Sequence, residues 1–238
     1  MNGKRISTGI RGLDLMLRGG GLIPGRTYLV KGAPPGTGKT TLAVHFAMAG
    51  VANGEDVLYV TLEEPADNIR ADMTKMGFNL NDSRFTLIDA TPPTSERYVL
   101  VEDFFESFAG SMEKMTQAIK EKLRERRYTR IVLDPITMLK FTSPEEIEYR
   151  RAFLSFVKSM GKMGATVLMT SEFQRTDIEE YLVSGVIELK MFDIQGDALP
   201  RAEDPEVQGE WFRPQHEALQ DNEQGGMVVY HDRVISLP

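Results

Sequence analysis

Short apolar runs alternate with longer stretches of mixed polarity between residues 27 and about 194, and this alternation predicts strands separated by helices. The predicted strands are Thr27–Lys31, Asp56–Leu62, Phe85–Asp89, Arg130–Asp134, Thr166–Thr170 and Val186–Phe192. A first helix runs from Thr41 to about Ala52 and stops at Asn53-Gly54, and a second starts beyond Pro65 and ends near Gly77. A third spans about Val99 to Arg127, and a fourth begins beyond Pro144 and reaches Met160. The polar end of the third, Lys120 to Arg127, alternates in sign of charge and reads as a solvated face. A last strand, Met227–Tyr230, follows Gly225-Gly226 and is expected to pair with Arg233–Leu237. No internal repeat is visible. Strands alternating with helices predict an α/β fold, a mainly parallel sheet flanked by helices with β-strands at the C-terminal end.

Composition narrows the setting. With 238 residues and 41% hydrophobic content, one domain covering 1–238 with a substantial core is expected. No run approaches the roughly 20 apolar residues of a membrane span. No charged-then-apolar leader is seen either, so the expectation is a cytoplasmic protein with no membrane partner. The absence of cysteine excludes disulfides, thiol nucleophiles and zinc–thiolate sites. The three histidines, His45, His216 and His231, leave little for a metal site of their own. The net charge of −7 is concentrated: residues 195–226 hold eight acidic and two basic side chains, a balance of −6. That segment also contains Pro200, Pro205, Pro214 and the single tryptophan, Trp211. It reads as a long acidic surface loop or insertion, pinned by Trp211 and Phe212.

The run Ala33-Pro34-Pro35-Gly36-Thr37-Gly38-Lys39-Thr40 lies between the first predicted strand and the helix that opens near Thr41. In that context it has the spacing of a phosphate-binding loop. Glycines allow successive N–H groups to turn inward around phosphates, and the following helix aims its positive end at them. Lys39 would reach the β- and γ-phosphates and the Thr40 hydroxyl would hold Mg²⁺, so the expected ligands are ATP and Mg²⁺. Ala33 stands where such motifs usually open with glycine, with Gly32 one residue earlier.

Two further elements suit the same chemistry. Ile131-Val132-Leu133-Asp134 reads as a buried strand ending in a carboxylate, and Asp134 would contact Mg²⁺ through a water. Glu63-Glu64 closes the second strand, which in a parallel sheet points to the same edge as the phosphate loop. One of the two would orient or deprotonate the attacking water. The alternative role is to cap the helix behind Pro65.

Together with Ser7-Thr8-Gly9-Ile10-Arg11-Gly12-Leu13-Asp14, Gly19-Gly20-Gly21, Asp134-Pro135-Ile136-Thr137 and Thr170-Ser171-Glu172, these motifs fall in the order of the KaiC family of RecA-superfamily ATPases. The chain resembles that family from residue 5 to about 190. The resemblance implies a RecA-like core with ATP bound between neighbouring subunits of a ring, usually a hexamer. It also implies that Glu63 and Glu64 are catalytic, that Thr41 belongs to the phosphate site, and that Ser171 and Glu172 lie on a strand sensing the γ-phosphate. The family includes a two-domain clock protein that phosphorylates itself, which extends the expectation to autokinase activity. With one phosphate loop, this chain resembles the single-domain members.

Family members usually follow the Val186–Leu189 strand with a hairpin bearing a basic Lys-Met-Arg-Gly-like motif that reaches the neighbour's ATP. Here the acidic segment occupies that place, which predicts slow hydrolysis or none, since comparable trans-acting arginines are worth roughly 10³–10⁵ in rate. Lys190, Arg201 and Arg213 are candidate substitutes, none of them in a matching motif. Thr176 lies near the position of the clock protein's self-phosphorylated residues but reads as a loop threonine, and His45 reads as a packed histidine. The leading expectation is a slow Mg²⁺-dependent ATPase whose nucleotide state controls self-assembly or binding of a protein partner. The alternatives are a non-hydrolysing ATP sensor, monomeric if the changed hairpin prevents ring formation, and a RadB-like DNA-binding relative. The acidic balance and the lack of a basic stripe argue against nucleic acid.

Overall fold

The computed structural model describes residues 4–32, 35–91, 111–140, 145–172, 177–194, 197–207, 217–221 and 227–230. After α1 (Arg11–Met16), β1 (Thr27–Gly32) leads to α2 (Lys39–Ala52), then β2 (Val57–Thr61), α3 (Ala66–Lys75) and β3 (Phe85–Asp89). There follow α4 (Ser111–Glu125), β4 (Arg130–Asp134), the short α5 (Thr137–Lys140), α6 (Glu146–Met163) and β5 (Thr166–Ser171). The chain then forms α7 (Asp177–Leu182), β6 (Gly185–Ile194), β7 (Asp197–Val207), β8 (Glu217–Asp221) and β9 (Met227–Tyr230).

The nine strands form one sheet in the order β3-β2-β4-β5-β1-β6-β7-β8-β9. The six from β3 to β6 are parallel. Every residue of β2, β4 and β5 is buried, as expected of strands covered on both faces. Alternate side chains enter opposite cores: Tyr28, Tyr59, Val132 and Leu168 pack with Leu42 and Phe46 of α2. Leu29, Leu58, Ile131 and Val167 pack with Phe153 and Phe156 of α6. The period-two alternation of apolar residues within each strand therefore builds two cores from one sheet. No helix among the described residues is long and apolar enough to cross a membrane.

The helices depart from expectation at their ends. α2 starts at Lys39, two residues early, because Gly38 takes the left-handed conformation (φ 88°) immediately before it. α6 runs to Met163 rather than Met160: Gly161 is carried inside the helix, and the left-handed stop is Gly164 at φ 75°. The part of the third predicted helix before Ser111 lies outside the described residues.

The acidic segment is the main correction. It is not a continuous loop, since β7 pairs antiparallel with β6 along most of its length, and β8 and β9 extend the sheet further. Its polar and proline-rich composition hid these strands, because backbone pairing to an existing edge can stabilise a strand that has no apolar face of its own. The hairpin that seemed to be replaced is therefore formed, with Lys190 opposite Arg201 in its register. Strand β9 lies where predicted but pairs with β8. Arg233–Leu237, Trp211, Phe212, Arg213, His216, His231 and Thr176 lie outside the described residues.

His45, on α2, packs edge-on against Phe78 with ring centroids 4.8 Å apart. Burial lowers its pKa from 6.5 to about 4. Between those two values the unfolded chain takes up the proton and the folded one resists it, so stability present above pH 6.5 is lost as pH falls toward 4. A drop of that size is worth roughly 3 kcal/mol. A His45→Leu variant is expected to flatten the pH dependence of urea midpoints in that window, and an unchanged slope would refute the assignment.

Candidate functional site

Every strand of the parallel sheet ends at the same edge, so the segments after β1, β2, β4 and β5 converge there, as is usual for ligand sites of such sheets. Between them is a cleft of about 520 Å³. Of the predicted phosphate loop, Ala33 and Pro34 lie outside the described residues. Pro35 and Gly36 are exposed, Thr37 is buried and Gly36 has φ 89°, a left-handed turn that suits glycine. Gly38, Lys39, Thr40 and Thr41 line the cleft.

Lys39 is 7% exposed, and its Nζ donates to the Gly32 carbonyl at 2.9 Å and to Thr37 Oγ1 at 3.4 Å. Burial lowers its pKa, against the opposing pull of Glu172, Asp134 and Glu63. The ammonium thus shares its cleft with three carboxylates, Glu63, Asp134 and Glu172, while bonded to its own loop.

Asp134 is buried, and both of its carboxylate oxygens are engaged. Oδ2 accepts from the Tyr59 hydroxyl and Oδ1 from the Thr170 hydroxyl. The cleft side of the sheet holds the chain ends together by the Leu62 N–H to the Asp134 carbonyl at 2.8 Å and the Ile136 N–H to the Thr170 carbonyl at 2.8 Å. The Asp134–Pro135 peptide is cis. Ser171 is buried beside this junction, and the Glu172 N–H donates to Thr137 Oγ1 at 3.0 Å.

Glu63 and Glu64 line the cleft on the turn after β2. Glu63 is raised above the ordinary carboxylate value by burial and by the charges of Glu172 and Asp134, with Lys39 opposing. Glu64 is also raised, by burial first and then by Asp72, Asp134 and Glu63. The capping alternative meets a competitor: the Ala66 N–H at the start of α3 donates to the Asp89 carboxylate at 2.9 Å. That bond is the leading reason the Asp89 pKa is lowered. The Thr61 hydroxyl donates to the Glu64 carbonyl, so the turn is held from its own backbone.

Among the described residues no cluster of three or more His, Cys, Asp or Glu side chains could hold a metal by itself. The residues present do fit Mg²⁺ delivered with a nucleotide. Thr40 supplies a hydroxyl, and Asp134, with both oxygens already accepting hydrogen bonds, suits contact through water rather than direct ligation. Sequence reasoning missed Tyr59, Thr170 and Thr137 as supports of the site. The usable signal was a tyrosine in a fully buried strand, whose hydroxyl must find a partner.

The site and fold have clear parallels. A family profile described as KaiC ATPase matches residues 6–202. A UPF0273 protein of Thermotoga maritima is 29% identical over 204 residues, covering 82% of this chain and 83% of its own length. The circadian clock protein KaiC3 of Synechocystis is 26% identical over 195 residues, which cover 77% of this chain and 37% of the clock protein. A crystal structure of a KaiC-like protein from Pyrococcus horikoshii superposes with a TM-score of 0.78, at 24% identity, covering 95% of this chain and 99% of that one. That likeness concerns the fold, a RecA-type core with a parallel sheet flanked by helices. With the profile spanning most of its length, the chain belongs to the KaiC family of ATPases.

Proposed function

We propose that this chain is a single-domain ATPase that binds Mg·ATP in the cleft at the sheet edge and hydrolyses it slowly, with nucleotide state governing self-assembly or the binding of a protein partner. The observation that carries this reading is the convergence of Lys39, Thr40, Asp134 and Glu63 on one cleft. In this reading the loop 33–40 cradles the phosphates, and Lys39 leaves the Gly32 carbonyl to meet the β- and γ-oxygens. Thr40 would hold Mg²⁺ with Asp134 facing it through water, and Glu63 would orient the attacking water with Glu64 in support. Bound Mg²⁺ would offset the charge of the terminal phosphate. By family likeness the assembly is a ring, and the β6–β7 hairpin is the element that would face a neighbour.

A second reading, a sensor that holds ATP without turnover, is favoured by the makeup of β7, which carries Asp197, Glu203, Asp204 and Glu206 against Arg201 alone. Phosphate release measured across protein concentration, with particle size followed by light scattering, separates the two. The ATPase reading expects activity per subunit to rise as ring-sized particles form. The sensor reading expects bound ATP, no release and an unchanged particle. In either case Lys39→Ala is expected to weaken ATP binding by about 10- to 150-fold, the worth of a charged hydrogen-bonding group. Wild-type protein that binds no ATP with Mg²⁺ would refute both.

A further inference from the structure

We propose that Thr137 is a positioning residue that sets how strongly the cleft distinguishes a nucleoside triphosphate from a diphosphate. The proposal rests on the nucleotide-binding reading above. Regular pairing of β4 with β5 stops at Leu133 and Met169. Beyond that point the two strand ends are laced by three hydrogen bonds: Thr170 to Asp134, the Ile136 N–H to the Thr170 carbonyl, and the Glu172 N–H to the Thr137 hydroxyl. The last is the outermost, and it fixes the residue that carries an exposed carboxylate into the cleft lining.

Thr137 is itself held firmly. It is 7% exposed at the start of α5, and the other end of that helix is tied by Lys140 to Glu179 at 3.6 Å. Glu179 is 1% exposed and accepts from the Tyr149 hydroxyl at 2.7 Å, which anchors α5 to α6 and α7 together. The Thr137 hydroxyl is therefore a fixed point from which the end of β5 hangs.

What hangs there is a charge. Glu172 lines the same cleft as Lys39 and Glu63, and its charge acts on both, so the carboxylate faces the space where the terminal phosphate would lie. A fixed negative charge at that place opposes a γ-phosphate more than a β-phosphate, and Mg²⁺ relieves the opposition. The cleft consequently accepts triphosphate chiefly as its Mg²⁺ complex, and the margin depends on where Thr137 holds Glu172.

Thr137→Val keeps the volume and removes the acceptor, while Thr137→Ser restores it. Binding of ADP and of the slowly hydrolysed analogue ATPγS, each with and without Mg²⁺, is the test. Thr137→Val is expected to change the triphosphate-to-diphosphate affinity ratio by about five- to tenfold, the size of one lost hydrogen bond, with ADP affinity within about twofold of wild type. Thr137→Ser should keep the wild-type ratio. Glu172→Gln, which deletes the charge and leaves the Thr137 bond intact, should tighten Mg²⁺-free ATPγS binding selectively, and it decides the matter if Thr137→Val does not fold. An unchanged ratio in Thr137→Val, a Thr137→Ser that behaves like valine, or a Glu172→Gln with no selective effect overturns the proposal. Wild-type protein that binds neither nucleotide overturns the functional reading, and the proposal with it.

Discussion

Replacing Arg130 with methionine is expected to lower the unfolding free energy by about 3–5 kcal/mol, because it leaves the partly buried Glu55 without its countercharge. For a chain of this size that corresponds to a fall in melting temperature of about 6–20 °C. Arg130 is 1% exposed at the start of the central strand β4, and its guanidinium joins three separate parts of the chain. Nε and Nη2 donate to the Glu55 carboxylate at 2.9 and 3.2 Å, while Nη1 donates to the Ser7 and Phe46 carbonyls, both at 2.7 Å. The guanidinium carbon also lies 4.8 Å from the centre of the Phe46 ring. Burial alone would raise the Glu55 carboxyl, but the Arg130 charge and hydrogen bonds outweigh it and hold Glu55 below its ordinary value. Gly50 leaves room for the side chain, since a Cβ there would fall 2.6 Å from Arg130 Cδ. Lysine cannot supply the planar fork, so Arg130→Lys should recover little. Glu55→Met combined with Arg130→Met should recover part of the loss by removing the stranded charge. Thermal melts within about 2 °C of wild type for Arg130→Met would overturn this account.

The second large effect is on turnover. On the ATPase reading proposed above, in which Glu63 acts as the general base, Glu63→Gln is expected to slow phosphate release by about 10²–10⁴-fold while leaving ATP binding in place. Glu64→Gln should slow it less. The distinction comes from their surroundings: the charges acting on Glu63 are those of Glu172, Asp134 and Lys39, whereas the strongest on Glu64 is Asp72, away from the phosphate loop. Because the Glu63 pKa is raised above 4.5, the rate should fall on acidification with a midpoint above that value, and Glu63→Gln should abolish this limb. Equal losses in the two variants, or a larger loss in Glu64→Gln, would reverse the assignment.

Strands β1, β2, β4 and β5 were legible as short apolar runs because both faces of each are covered, so most positions had to be hydrophobic. The phosphate loop was legible because its glycines and lysine serve local backbone geometry, which spacing alone records. Strands β7 and β8 were not, since their pairing depends on an edge supplied by β6 and leaves little trace in composition. The hydroxyls that steady Asp134 were hidden for another reason. Tyr59 and Thr170 lie 75 and 36 residues from it, and only the strand order β2-β4-β5 makes them neighbours. The competition between Asp89 and Glu63-Glu64 for the start of α3 likewise required knowing that β3 lies beside β2.

In the sheet, β6 keeps register with β1 as far as Leu189 opposite Gly32 and then continues to Ile194 before β7 returns. At about 3.3 Å per residue, the hairpin projects about 16 Å past the strand that delivers the phosphate loop. Along that rail the register places Lys190 and Arg201 near its base, and Asp193 and Asp197 near its tip. Past Gly32 the register pairs β6 with β7 and no longer with β1, so this end of the hairpin is braced by its own partner strand, and a change that weakens one strand weakens the other.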